Sequence, residues 1–181
     1  MELGTLQGRV DKYKKILKNT NDYRKAWIKE IKPFIKNTLE KINTETNLGA
    51  TITCQDNMEN LGVVIFSLGK DYSGIAEKIE GSDKKKNMIK SNGSLVYQEL
   101  FNGKIMIMII YPFIEGYGQP QPPKSVEILR PHEVTEAFII RHVEDFIKEI
   151  LEWEDYDDDE QEKLPFNTIG FQNSLLTEDD D

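Results

Sequence analysis

Two histidines, one cysteine and an acid-rich C-terminal stretch are the residues of this chain best suited to chemistry. Cys54 is alone, which excludes an intramolecular disulfide and a multi-cysteine metal site. A nucleophilic thiol needs a base beside it, and no histidine lies near Cys54 in sequence, so it reads as a small buried hydrophobe pointing with Ile52. His132 and His142 stand ten residues apart, outside helical register. His142 falls at the edge of an apolar stripe, where a packed, hydrogen-bonded histidine is the expectation. Asp155, Asp157 and Asp159 have the alternate spacing of a calcium loop, but Glu160 occupies the place of its glycine and Phe166 that of its closing carboxylate. Gly62 and Gly69-Lys70 are separated by six residues where a phosphate-cradling loop has four. No nucleophile elbow, zinc-protease helix or dinucleotide fingerprint occurs. No catalytic residue, cofactor or metal site emerges, and the reading leans away from an enzyme.

The elements that would position any site come next. A chain of 181 residues suits one domain with a buried core. Residues 6–43 read as helix: Leu6, Val10, Tyr13 and Leu17 begin an apolar stripe that Tyr23, Trp27, Ile31, Phe34, Ile35, Leu39 and Ile42 continue. Poor helix formers from Lys18 to Asp22 predict a break near Asn21 or Asp22, and Pro33 falls on the solvent side. Lys25, Lys29, Lys32 and Lys36 form a second, basic stripe. After a stop at Asn47-Leu48-Gly49, residues 50–56 and 61–68 predict an antiparallel hairpin. Residues 69–93 are polar, basic and Gly-rich, so a loop with one helical turn around 75–79 is expected there.

Asn102-Gly103 is the strongest local signal, the preferred pair for a two-residue type I′ turn. That turn would set Leu100 opposite Ile105, Gln98 opposite Ile107 and Val96 opposite Ile109, with Tyr97, Met106, Met108 and Ile110 on the other face. The strand from Ile105 to Ile110 is apolar on both sides and should be central. The face carrying Tyr97, Met106, Met108 and Ile110 has no helix to cover it, which makes these residues candidates for contact with a partner. Residues 115–123 read as an extended connection and 125–129 as an edge strand. Pro131 is expected to open a second helix, with Ile139, Val143, Phe146, Ile147, Ile150 and Trp153 on its buried face.

Charge divides the chain. The net charge is −9, but residues 152–181 alone carry −11, leaving +2 on residues 1–151 and +6 within residues 1–43. A tethered acidic block competes with phosphates for Lys and Arg, so nucleic acid is an unlikely partner. Beyond that block, residues 164–176 are rich in apolar side chains, and Phe166, Ile169, Phe171 and Leu175 read as a docking segment. The expected architecture is one α+β domain over residues 1–152, a mostly antiparallel sheet of four or five strands with the N- and C-terminal helices on one face, and an acidic tail over 153–181. No apolar run is long enough for a membrane span, and Met1 to Thr5 lack the pattern of a secretory signal, so a cytoplasmic location is expected. The favoured function is a non-enzymatic adaptor, scaffold or assembly component that binds a protein partner or forms a homo-oligomer. Two alternatives stand beside it: a small apolar ligand or enzyme pocket lined by Tyr97, Met106, Met108, Tyr111 and His142, and an acidic immunity-type inhibitor.

Overall fold

The computed structural model describes residues 3–58, 61–79, 81 and 83–155. Helix α1 (Gly4–Ala26) runs without interruption into a π-helical turn (Trp27–Ile31) and then α2 (Lys32–Thr46). The expected break at Asn21 or Asp22 is absent. Propensity there is weak, and tertiary contact outweighs it: the backbone at Thr20 and Arg24 lies against Gly103 of a β-hairpin, and the Arg24 guanidinium donates to the Phe101 carbonyl. The wide π turn immediately precedes Pro33, whose ring crowds the carbonyl four residues back and which has no N–H to donate. Pro33 itself is exposed, as its helical phase required. Asn47, in the left-handed region at φ 52°, ends α2.

Eight strands follow: β1 (Thr51–Met58), β2 (Leu61–Ser67), β3 (Lys70–Lys78), β4 (Lys85–Ser91), β5 (Ser94–Glu99), β6 (Ile105–Ile110), β7 (Phe113–Ile114) and β8 (Lys124–Leu129). Five of them form an antiparallel sheet in the order β1-β2-β5-β6-β8, and β3, β4 and β7 form a smaller antiparallel one. The last helix, α3 (Glu136–Glu154), packs beside α2. Both helices cover one face of the large sheet. Val64 and Phe66 of β2, Leu95 and Tyr97 of β5 and Ile105, Ile107 and Ile109 of β6 meet Ile35 and Leu39 of α2 and Ile139 and Phe146 of α3 in one core. The α+β class expected from sequence is the one observed. Trp27 enters the same core against Gly62, where a Cβ would come within 2.6 Å of the indole Nε1.

The β5–β6 hairpin departs from its expected register. Its turn spans Leu100 to Lys104, with Gly103 N–H donating to the Leu100 carbonyl and Gly103 at φ 72°. A turn followed by a left-handed glycine adds a residue to the loop and moves the pairing by one. Glu99 therefore faces Ile105, Tyr97 faces Ile107 and Leu95 faces Ile109. Tyr97 moves to the helix-covered side, and Val96 and Gln98 join Met106 and Met108 on the other.

Three further expectations are corrected. Residues 69–93 are mainly strands β3 and β4 rather than a loop with a helical turn; an irregularity between Tyr72 and Ala76, with Gly74 at φ 79°, hides the alternation. Pro131 opens a 3-10 turn (Pro131–Glu133) held by Arg130 N–H donating to Glu133, and α3 begins only after Thr135, whose hydroxyl caps the Phe138 N–H. Cys54 shares a face with Ile52 but is exposed, because β1 is an edge strand and the helical cover does not reach that far along it. The edge strand expected at 125–129 is β8, and α3 continues two residues past the expected domain boundary at 152.

Candidate functional site

Polar chemistry in the core converges on His142. The apolar spacing of α3 turns Ile139, Val143 and Phe146 inward and takes His142 with them, to 0% exposure. Its Nε2 lies 2.5 Å from Glu127 Oε1 on β8, and its Nδ1 lies 3.1 Å from the Tyr97 hydroxyl on β5. Glu127 also pairs with Arg141, which sits over the Phe138 ring. A carboxylate on Nε2 calls for the Nε2–H tautomer, so neutral Nδ1 accepts from the Tyr97 O–H. Burial pushes the His142 pKa down, outweighing the opposing pull of Glu127. Burial by itself would raise Glu127, but the hydrogen bond from His142 and the charge of Arg141 hold it below the usual carboxylate range. Burial also drives the Tyr97 phenol upward. Both ring nitrogens are engaged, so this cluster ties β5, β8 and α3 together and offers no free base to a substrate.

The residues expected to bind a partner are dispersed. Met106, Met108 and Ile110 stay together, half-buried on the sheet face opposite the helices, beside Ile128, which is exposed. Tyr97 is fully buried on the reverse side. Tyr111, which donates to Glu149 across 2.7 Å and is raised to about 12 chiefly by burial, belongs to a separate cluster with Lys124. Tyr97 and His142 are thus in contact with each other, while the methionines face the other way. Phe166, Ile169, Phe171 and Leu175 lie outside the described residues. Of the basic stripe, Lys32 pairs with Asp56 and Lys36 with Glu40.

Two surfaces stand out that the expected site did not include. The first is α1. None of its 23 residues is buried. Leu3, Leu6, Val10, Tyr13 and Leu17 recur at steps of three and four, the a/d spacing of a coiled-coil seam. Leu6 is 55% exposed, Tyr13 61% and Leu17 51%. Its last turns rest on the body, at the β5–β6 loop and, through Tyr23, against His132. The spacing was visible in sequence; its emptiness was not. The second surface is an open groove of about 530 Å³ between the end of α2 and α3, lined by apolar side chains such as Ile42, Ile140, Ile147 and Leu151 and also by Glu144 and Lys148.

Among the described residues no cluster of His, Cys, Asp and Glu is placed to hold a metal ion, and no helix is long and apolar enough to cross a membrane. The chain matches no family model, no curated protein and no solved structure.

Proposed function

We propose that this protein is a non-enzymatic interaction protein, an adaptor, scaffold or assembly component, whose principal contact element is the projecting helix α1. The observation that carries the reading is a 23-residue helix with no buried residue and a seam of Leu3, Leu6, Val10, Tyr13 and Leu17 in which all but the half-buried Val10 are exposed. Isolated helices are marginal in water, and most helical stability comes from packing an apolar face. The seam follows the a/d spacing of coiled coils and is widened by Ile16 beside Leu17. Residues 4–26 carry seven bases and two acids. A helical partner with acids flanking its own seam complements that charge, whereas a second copy of α1 repeats it. The Met106, Met108 and Ile110 face and the 164–176 segment enter the proposal as further contacts, and a cytoplasmic location belongs to the same reading.

The test is a variant carrying Leu6→Gln, Val10→Gln, Tyr13→Gln and Leu17→Gln. Partners captured by the wild-type chain from native lysate should be lost, with the thermal transition of the body unchanged. Identical capture by both chains, together with identical sedimentation, overturns the reading.

A further inference from the structure

Both helices that pack on the large sheet, α2 and α3, lie on one side of it. Strand pairing fixes which side chains stand on the other. One row across the sheet joins Ile65, Val96 and Met108, and the next joins Val63, Gln98, Met106 and Ile128. We propose that this face is an isologous interface, through which two copies of the chain stack sheet on sheet about a two-fold axis. The inference rests on the reading of that face as a contact surface, and not on the role given to α1.

Charge is the first argument. Among the paired positions on this face there is no Asp, Glu, Lys or Arg, in a chain of which 30% is charged. The charged side chains of the same paired strands turn the other way: Glu99 accepts from the Gly62 N–H, Glu127 meets His142 and Lys124 pairs with Glu149. The polar residues of the face lie at its margins, Thr51 and Thr53 on β1, Ser125 on β8, and Ser67 with Ser94 at one end. An apolar centre, a rim of uncharged polar groups and a depletion of charge are the anatomy of an interface core.

Self-complementarity is the second. A partner with a charged surface would have to bury charges that nothing on this face pairs. The same patch on a second copy brings none, and a two-fold axis sets the patch against itself. A second copy of α1, by contrast, sets seven bases against seven. Stacked sheets lie ~10 Å apart, and Met106 and Met108, flexible and polarizable, suit the filling of that space from both sides.

Area is the third. Five strands ~4.8 Å apart and about six residues long at ~3.3 Å each give a footprint of roughly 480 Å², and two copies close to ~1,000 Å² before side-chain relief is counted. That lies at the lower end for a specific interface, so a reversible dimer with a dissociation constant on the order of micromolar is expected.

The experiment is sedimentation velocity of the full-length chain over a series of concentrations from micromolar to millimolar, in which a reversible dimer should appear. Met108→Lys puts a charge at the middle of the face and should weaken the dimer at least about tenfold with the melting curve in place. Ile128→Lys, at a more exposed position of the same face, is the second variant and should weaken it likewise. The chain carrying Leu6→Gln, Val10→Gln, Tyr13→Gln and Leu17→Gln should dimerise as the wild type does, which separates this inference from the role of α1. Photoreactive benzoyl-phenylalanine at Met106, in a mixture of isotopically light and heavy chains, should give adducts between chains that are confined to this face. A chain that stays monomeric throughout, a dimer unaffected by both lysine variants or lost in the α1 variant, or adducts on the helices overturn the proposal.

Discussion

His142 is held on both ring nitrogens and buried, so its protonation is linked to folding. The folded pKa lies below the ordinary 6.5 and the unfolded value does not. Below the unfolded value the unfolded state therefore binds more protons, and stability falls as the pH drops from about 7.5 towards 5.5, being complete above that range. The depressed carboxyl of Glu127 adds a second loss in the same direction, as the pH falls from its ordinary 4.5 through the folded value. Urea unfolding measured across this range should show the first decline in the wild type and a flatter profile for His142→Gln. Tyr97→Phe removes the donor to Nδ1 without emptying the core, and should cost about 1–2 kcal/mol at pH 7.5 by the same measurement. An unaltered slope in the His142 variant would show that the ring is not the titrating group.

At the scale of elements, the β5–β6 hairpin has two tasks. Its extra loop residue sets the register that sends Tyr97 and Leu95 into the core, and the same loop is the seat of α1. Gly103 serves both. Its φ of 72° suits glycine, and a Cβ there would meet Tyr23 Cβ at 2.6 Å and the Arg24 nitrogen and Thr20 carbonyl oxygen at 3.0 Å. Gly103→Ala should therefore destabilise the protein by about 2 kcal/mol or more, since strain and collision act together. Hydrogen exchange should accelerate at residues 20–26 before the sheet is affected. A variant as stable as the wild type, with unchanged exchange in α1, would mean that the loop does not seat the helix.

Over the whole molecule, apolar residues fall into two populations. Those between α2, α3 and the large sheet hold the fold; Leu6, Tyr13, Ile16 and Leu17 along α1 are left exposed. Phe146, fully buried and edge-on to Phe66 at 6.3 Å, should cost about 3–5 kcal/mol on replacement by alanine. Leu17→Ala, a similar truncation on the bare stripe, should change unfolding by less than about 0.5 kcal/mol. Chemical denaturation of the two variants checks the contrast. A large loss at Leu17 would mean that the stripe is already covered within the chain, and the proposed contact helix would lose its ground.

The amino-acid order alone determined the helices of both ends, the 51–67 hairpin, the central apolar strand and the α+β class, because each rests on local periodicity and on turn residues that act within a few positions. It also determined the division of charge. Tertiary structure decided the rest. A one-residue lengthening of a turn moved Tyr97 from one face to the other, since strand side chains alternate with period two and a slip by one inverts them. Contact with the hairpin loop carried α1 straight through residues poor at forming helix. The strands of 70–91 emerged from a polar, irregular stretch, because backbone pairing asks less of composition than a buried face does. Above all, an apolar stripe reads the same whether it is covered or bare. Only the packing of the other elements separates Ile35 and Leu39, sealed in the core, from Leu6 and Leu17, left in water.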